Sequence, residues 1–134
     1  MIEEEIRAIT RAGVQDNGDR LNEIADQFRR GRNVNDVVAL LDSQDHELVS
    51  IGAWILGELR FELYDTAPII SRLRKLVDHE DASVRFHTFG ALYPALNWQD
   101  ARTQALLKKL QSDPNEGVRR SAEAAEARLF RDGT

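Results

Sequence analysis

Residues 40–48 (LLDSQDHEL) return as residues 76–84 (LVDHEDASV) and, more loosely, as residues 110–118 (LQSDPNEGV), at spacings of 36 and 34 residues. In each copy an apolar helix end runs into a polar turn, which leads into a new apolar segment. Self-similarity at this period is typical of helical hairpins that stack on one another. Because one hairpin cannot bury its apolar face alone, neighbouring copies must share a continuous core. The pattern therefore predicts an α-solenoid.

Each copy also contains a signal for the start of a helix. Asp45, Asp81 and Asn115 stand three residues before the first apolar residue of the following segment. A side-chain oxygen at this N-cap position accepts a hydrogen bond from a backbone N–H of the first helical turn, which has no partner within the helix. The sequence therefore predicts that each copy joins the two helices of one hairpin.

Apolar residues recur at helical spacing almost throughout, and the sequence contains no β-hairpin signal. Gly31 is expected to end the second helix. Pro94 is expected to kink or fray the sixth, because proline lacks a backbone donor and crowds the preceding turn. We predict eight helices, over about residues 3–12, 19–31, 34–41, 45–61, from 66, 81–96, 99–110 and 115–130.

The helix that follows each junction has a more specific pattern. It reads LVSIGAWILGEL over residues 48–59, VRFHTFGAL over residues 84–92 and VRRSAEAA over residues 118–125. These segments resemble the second helix of the HEAT repeat, which typically opens Asp-x-x-Val-Arg-x-x-Ala-Ala-x-Ala-Leu-Gly-x-Leu. Val49 replaces the arginine in the first copy, whereas the other two copies keep it. The resemblance covers about residues 33–131.

This resemblance implies an all-α fold, a short right-handed α-solenoid of HEAT-like helical hairpins. The chain is long enough to bury a core, and we expect residues 1–134 to form a single domain. Residues 1–32 lack the repeat pattern and are predicted to be a helical N-terminal cap, because the end of a solenoid needs a covering unit. The HEAT-like repeats are expected at residues 33–65, 66–98 and 99–134.

Charge is unevenly distributed along the chain, whose net charge is −5. Residues 1–32 carry six Lys and Arg against seven Asp and Glu, residues 33–78 carry four against eight, and residues 79–134 carry eight against eight. A nucleic-acid-binding protein needs a basic surface. The acidic middle therefore argues against nucleic acid and favours a basic protein as partner. Alternatively, the net charge only maintains solubility.

The sequence also bears on the compartment. It begins with MIEEE, which is acidic where a secretory signal would be basic and then apolar, and no segment has the apolar length of a membrane span. We therefore expect a cytoplasmic protein with no membrane partner. Cysteine is absent, which excludes disulfides, thiol nucleophiles and cysteine metal sites.

The residue types that carry enzyme chemistry do not form a recognisable motif. His46, His79 and His87 lack the spacing of a His-Glu-x-x-His zinc site, and the first two are expected in solvated turns. Ser50 and Ser71 have no neighbouring base in the sequence that could activate them. We therefore expect no catalysis, no cofactor and no metal.

The HEAT resemblance implies that certain positions of the second helices point toward a concave face. Trp54 at such a position, beside Gly90 of the next repeat, would make a shallow apolar site of the kind that anchors interfaces. Alternatively, Trp54 lies over Gly90 and fills space between repeats, since large apolar side chains are usually at least partly buried. The predicted partner-binding residues are Glu47, Ser50, Trp54, Glu58, Phe61, Glu62, Phe86, Gly90, Tyr93 and Asn97.

A short HEAT-like chain with an acidic middle is similar to the HEAT-like immunity proteins of bacterial polymorphic and contact-dependent toxin systems. The segment LVSIGAWI, residues 48–55, followed by a Val-Arg-Phe repeat, carries that resemblance. It implies that the chain binds and neutralises one protein partner, such as a basic nuclease toxin. We expect a monomer. Alternatives are an adaptor or assembly subunit and, more remotely, a relative of the HEAT-like alkylpurine DNA glycosylases, which the acidic middle disfavours.

Overall fold

The computed structural model describes residues 1–12, 17–59 and 66–133. These residues form eight α-helices and contain no strand, so the all-α prediction is confirmed for the described part of the chain. The helices are α1 (Ile2–Ala12), α2 (Asn17–Arg29), α3 (Asn35–Leu40), α4 (His46–Glu58), α5 (Thr66–Leu76), α6 (Ala82–Leu92), α7 (Ala101–Leu110) and α8 (Glu116–Gly133), with a 3₁₀ turn at Tyr93–Ala95.

Two predicted helix ends are confirmed and one is wrong. Gly31 follows α2 with a φ of 111°, a left-handed conformation that glycine adopts without steric cost. Pro94 lies in the 3₁₀ turn that replaces the end of α6, where its missing donor disrupts the helical ladder. The fourth helix stops at Glu58 rather than Phe61, because Leu59 has an extended backbone with a ψ of 155°.

All three predicted N-caps form. The Asp45 carboxylate accepts from the Glu47 backbone N–H at 3.0 Å, and the Asp81 carboxylate accepts from the Ser83 N–H at 2.8 Å. The Asn115 side-chain oxygen accepts from the N–H of Val118 at 3.1 Å. Two residues before each cap, a further side chain accepts the backbone N–H of the cap residue itself. These acceptors are Ser43, His79 and Asp113 in turn.

Helices that follow one another in the chain pack as pairs. Each of the pairs α3 with α4, α5 with α6 and α7 with α8 is in contact, and α1 packs on α2. The most extensive contact joins α4 to α6, and α6 also contacts α8. The second helix of one repeat therefore lies beside the second helix of the next.

Glycines allow the closest of these approaches. A Cβ at Gly52 would lie 3.0 Å from the Leu40 Cβ, and a Cβ at Gly57 would lie 3.5 Å from the Cα of Ala91. Both glycines therefore permit close helix packing. The apolar stripe of α4 is fully buried in the common core, which contains Leu48, Ile55 and Leu56 together with Phe89 and Leu92 of α6.

Charged side chains add contacts between units. The Arg72 guanidinium of α5 donates to the Asp42 carboxylate at 2.8 Å, and Lys109 of α7 binds Asp78 in the same way one repeat later. Arg29, at the end of α2, donates to the backbone carbonyl and carboxylate of Glu58 at 3.1 and 3.3 Å. This arginine therefore joins the N-terminal helices to the first repeat.

Candidate functional site

A groove crosses the face where α2, α4 and α6 meet. One cavity of about 300 Å³ has an apolar lining of Leu21, Ile51 and Trp54, beside Asn22, Ser50 and His87. A second cavity of about 420 Å³ shares Leu21, Ser50, Ile51 and His87 with the first. Because the two cavities share four residues, they form one continuous depression, called the Trp54 groove below.

The two ends of the Trp54 groove differ in chemistry. Trp54 and Leu21 make the first end apolar. The second end is polar and adds Thr10, His46, Glu47, Asp81 and Ser83. Lysine and arginine are absent from the described lining of both cavities. The groove therefore combines an apolar end with a carboxylate-bearing end.

Ser50 forms the floor of the groove rather than its surface. Its side chain is buried, with 7% of the residue exposed, and its Oγ lies 2.7 Å from the Ser83 Oγ of α6. We predicted that the Ser50 side chain is accessible to a partner, and its burial contradicts this prediction. The hydroxyl pair instead ties α4 to α6 beneath the groove.

His87 is the titratable group shared by both cavities. Burial lowers the pKa of its imidazole, because the charged form loses hydration in this half-buried position. The ring packs edge to face against Phe86, with centroids 5.2 Å apart. A neutral imidazole with an apolar neighbour is therefore the favoured state on the α6 side of the groove at neutral pH.

His46 belongs to a cluster at the carboxylate end. Its Nε2 lies 3.3 Å from the Glu80 carboxylate and its Nδ1 lies 3.7 Å from the Asp81 carboxylate. The His79 ring packs edge to face on it at 4.5 Å. His79 uses its own Nδ1 to accept the Asp81 backbone N–H, so this nitrogen is already engaged. The sequence predicted solvated turn residues, whereas the structure packs the two partly buried histidines on each other, one from each of two successive junctions.

A second groove lies between α6 and α8. It has a volume of about 340 Å³ and is lined by Gly90, Tyr93, Ala124 and Arg128, together with Phe89, Ser121 and Ala125. No side chain comes within 4 Å of a Cβ built at Gly90. The interpretation that Trp54 lies over Gly90 is therefore wrong. Trp54 lines the Trp54 groove, whereas Gly90 lines this second cavity. This second cavity is called the Arg128 groove below.

The remaining predicted site residues are dispersed. Glu47 and Trp54 line the Trp54 groove, and Phe86 is 42% exposed but lines neither of its cavities. Glu58 is exposed, but its carboxylate binds Arg29. Asn97 lies after the 3₁₀ turn, and its side-chain oxygen accepts the Gln99 backbone N–H, which is a local turn contact. The predicted residues Phe61 and Glu62 fall outside the described residues.

Sequence reasoning missed the contribution of α2. Leu21 and Asn22 form one wall of the Trp54 groove, although the N-terminal helices were predicted only to cap the repeats. It also missed Ile51 and His87, which occupy the same position in successive repeats, one residue after Ser50 and Phe86. The alignment of the repeats could have identified the second pair, because that alignment places them on one face.

The sequence matches no protein-family model, and no curated protein or solved structure is similar enough to it to count as a match. Within the described helices, none is both long and apolar enough to cross a membrane. Across the same residues, no three side chains of His, Asp or Glu are arranged to hold a metal ion.

Proposed function

We propose that this chain is a short α-solenoid of HEAT-like hairpins that binds one protein partner through the Trp54 groove and catalyses no reaction. The sequential contacts of α4 with α6 and of α6 with α8 support the solenoid arrangement. So do the capped junctions that recur in each repeat.

The observation that carries the binding proposal is the position of Trp54. Its side chain is partly buried against the core, yet it lines an open cavity with Leu21 and Ile51. Interface hot spots are enriched in tryptophan and cluster in pockets that a partner can fill completely. A large apolar side chain at such a place contributes most to the binding free energy when a partner removes it from water.

The proposed role is that of an immunity or inhibitor protein, which occludes the active surface of a toxin-like partner. Carboxylates at one end of the groove support a basic partner, because opposite charge speeds the encounter. An adaptor subunit is the alternative, and it would bind several proteins rather than one.

The test uses the protein as bait in a native lysate, followed by titration of each retained protein against wild type and Trp54→Ala. We expect one retained protein, and Trp54→Ala should weaken its binding by about 2 kcal/mol or more, as truncation of a hot spot does. Trp98→Ala is the matched control, since Trp98 packs on Phe130 away from the groove. Thermal melts show whether each variant is folded.

Equal binding by wild type and Trp54→Ala would contradict the proposed surface. Several retained proteins of similar affinity would favour the adaptor. The immunity role has its own test, which is to express the product of the adjacent gene with and without this chain. Growth that depends on this chain supports neutralisation, and growth that does not depend on it opposes that role.

A further inference from the structure

The Trp54 groove is amphipathic along its length, and its two ends are physically continuous. The shared floor of Leu21, Ser50, Ile51 and His87 allows one bound segment to reach both ends. The apolar cavity, at about 300 Å³, is at the lower limit of ordinary ligand pockets. It therefore has room for one large side chain rather than for a folded element.

The carboxylates at the other end are unequally engaged. Asp81 already caps α6 and lies 3.7 Å from the His46 ring. The Glu47 side chain is exposed, and its carboxylate has no hydrogen bond or ion pair with any described residue. Glu47 is therefore the acceptor that is available to an incoming cation.

We propose, on the basis of the proposed function, that the partner presents to this groove a segment in which one large apolar side chain lies close to a lysine or arginine. The apolar side chain enters the cavity between Trp54 and Leu21. The cation lies against Glu47 and Asp81 at the other end.

Charge selects this occupant over two others. An acidic or phosphorylated segment would place like charge against Glu47 and Asp81, with no lysine or arginine in the described lining to offset it. A second copy of this chain carries a net charge of −5 and would be repelled in the same way. A basic, apolar segment gains both apolar burial and charge pairing.

The probe is a random peptide library displayed on yeast and selected on the immobilised full chain. We expect the enriched peptides to carry lysine or arginine within a few residues of Leu, Met, Phe or Trp. Affinities of these peptides should fall at least tenfold with Glu47→Lys and at least thirtyfold with Trp54→Ala.

Glu116→Lys is the matched control for Glu47→Lys. Both glutamates are exposed and lie in the first turn of a second helix, but Glu116 is outside the groove. The control should bind the peptides like wild type. Because Glu47 is exposed, its variant remains informative even if Trp54→Ala fails to fold.

The outcomes separate this inference from the proposed function. Enriched peptides that are acidic or uncharged, yet still lose affinity with Trp54→Ala, would overturn the inference and leave the binding surface in place. Peptides that bind wild type, Glu47→Lys and Trp54→Ala with equal affinity would overturn the inference and the proposed binding surface. A selection that enriches no peptide would do the same. Self-association of the chain, detected by sedimentation and abolished by Trp54→Ala, would also overturn the inference, because the second copy would then be the occupant.

Discussion

The junction of α4 with α6 and the junction of α6 with α8 use different chemistry at equivalent positions of the repeat. At the first, Val49 is buried and Gly57 brings α4 close to the backbone of Ala91. At the second, Arg85 occupies the position of Val49 and forms a two-pronged ion pair with Asp113, through contacts of 2.8 and 2.9 Å.

The grooves above the two junctions differ as well. The Trp54 groove carries carboxylates and a neutral imidazole, whereas the Arg128 groove is lined by small residues, two aromatic side chains and an arginine. Residues at equivalent positions of the sequence repeat, Val49 and Arg85, are therefore accommodated by different contacts. Apolar contact and a buried ion pair can fill the same position.

Removing the buried ion pair should have the largest effect. Arg85 and Asp113 side chains are only 13% and 6% exposed, so Arg85→Met leaves the Asp113 carboxylate without its cationic partner in a poorly hydrated site. We expect a loss of about 3–5 kcal/mol in the free energy of unfolding, measured by urea denaturation.

The control for Arg85→Met is Arg72→Met. Arg72 forms an ion pair of similar length with Asp42, at 2.8 Å, but both side chains are largely exposed. Removing this exposed ion pair should lower the free energy of unfolding by less than about 1 kcal/mol. If the two variants lose equal stability, burial does not distinguish the pairs and the comparison of the junctions fails.

Acid should weaken the second junction by a smaller amount. Hydrogen bonds from Arg85, together with the backbone N–H of Asn115, hold the pKa of the Asp113 carboxyl below its ordinary value. The folded state thus binds this proton less readily than the unfolded state does. The stabilisation is complete above the unfolded pKa of about 3.9 and is lost as the pH falls through the lower folded pKa. The effect is smaller than that of Arg85→Met because a protonated carboxyl still accepts a hydrogen bond, and the Arg85 guanidinium keeps its bonds to the backbone carbonyls of His79 and Glu80.

Urea unfolding of wild type and Asp113→Asn at pH 7, 4 and 3 measures this contribution. Wild type should lose more stability than Asp113→Asn between pH 4 and pH 3. The exposed Asp42→Asn should retain the wild-type dependence. Parallel curves for wild type and Asp113→Asn would show that this carboxyl does not govern the acid response.

Glycine substitutions at the two junctions should have smaller effects than Arg85→Met, and the two effects should have opposite signs. Gly57→Leu places a side chain against the Ala91 backbone and should destabilise by about 1–3 kcal/mol through overpacking. Gly90→Leu enters open space and should stabilise by up to about 1 kcal/mol, because leucine favours helix over glycine. Thermal melts of the two variants measure both changes. Two changes of the same sign would contradict the difference in packing around Gly57 and Gly90.

Much of the local structure could be predicted because it depends on neighbouring residues. The caps at Asp45, Asp81 and Asn115 need only a side-chain oxygen and a backbone N–H two or three residues later. The disruption at Pro94 follows from its ring, and the helix end at Gly31 follows from its missing Cβ. The fourth helix ends at Glu58, three residues before the predicted end, where the backbone of Leu59 becomes extended.

The candidate site could be predicted only in part. Glu47 and Trp54 lie on the groove because repeat alignment places such positions on one face. Ser50 shares that face but is buried by Ser83, which belongs to another helix. The offset between α4 and α6 leaves the space around a Cβ at Gly90 empty, and spacing within each helix does not specify that offset.

The sequence by itself determined the all-helical class, the repeat period and the starts of the second helices, because these depend on residues close together in the chain. Only the tertiary structure decided that Arg85 pairs with Asp113 and that Arg29 binds Glu58. It also decided that Leu21 lines the groove beside Trp54. These contacts join residues about thirty positions apart. Their geometry depends on how whole helices pack, and the same periodic pattern is compatible with several such packings.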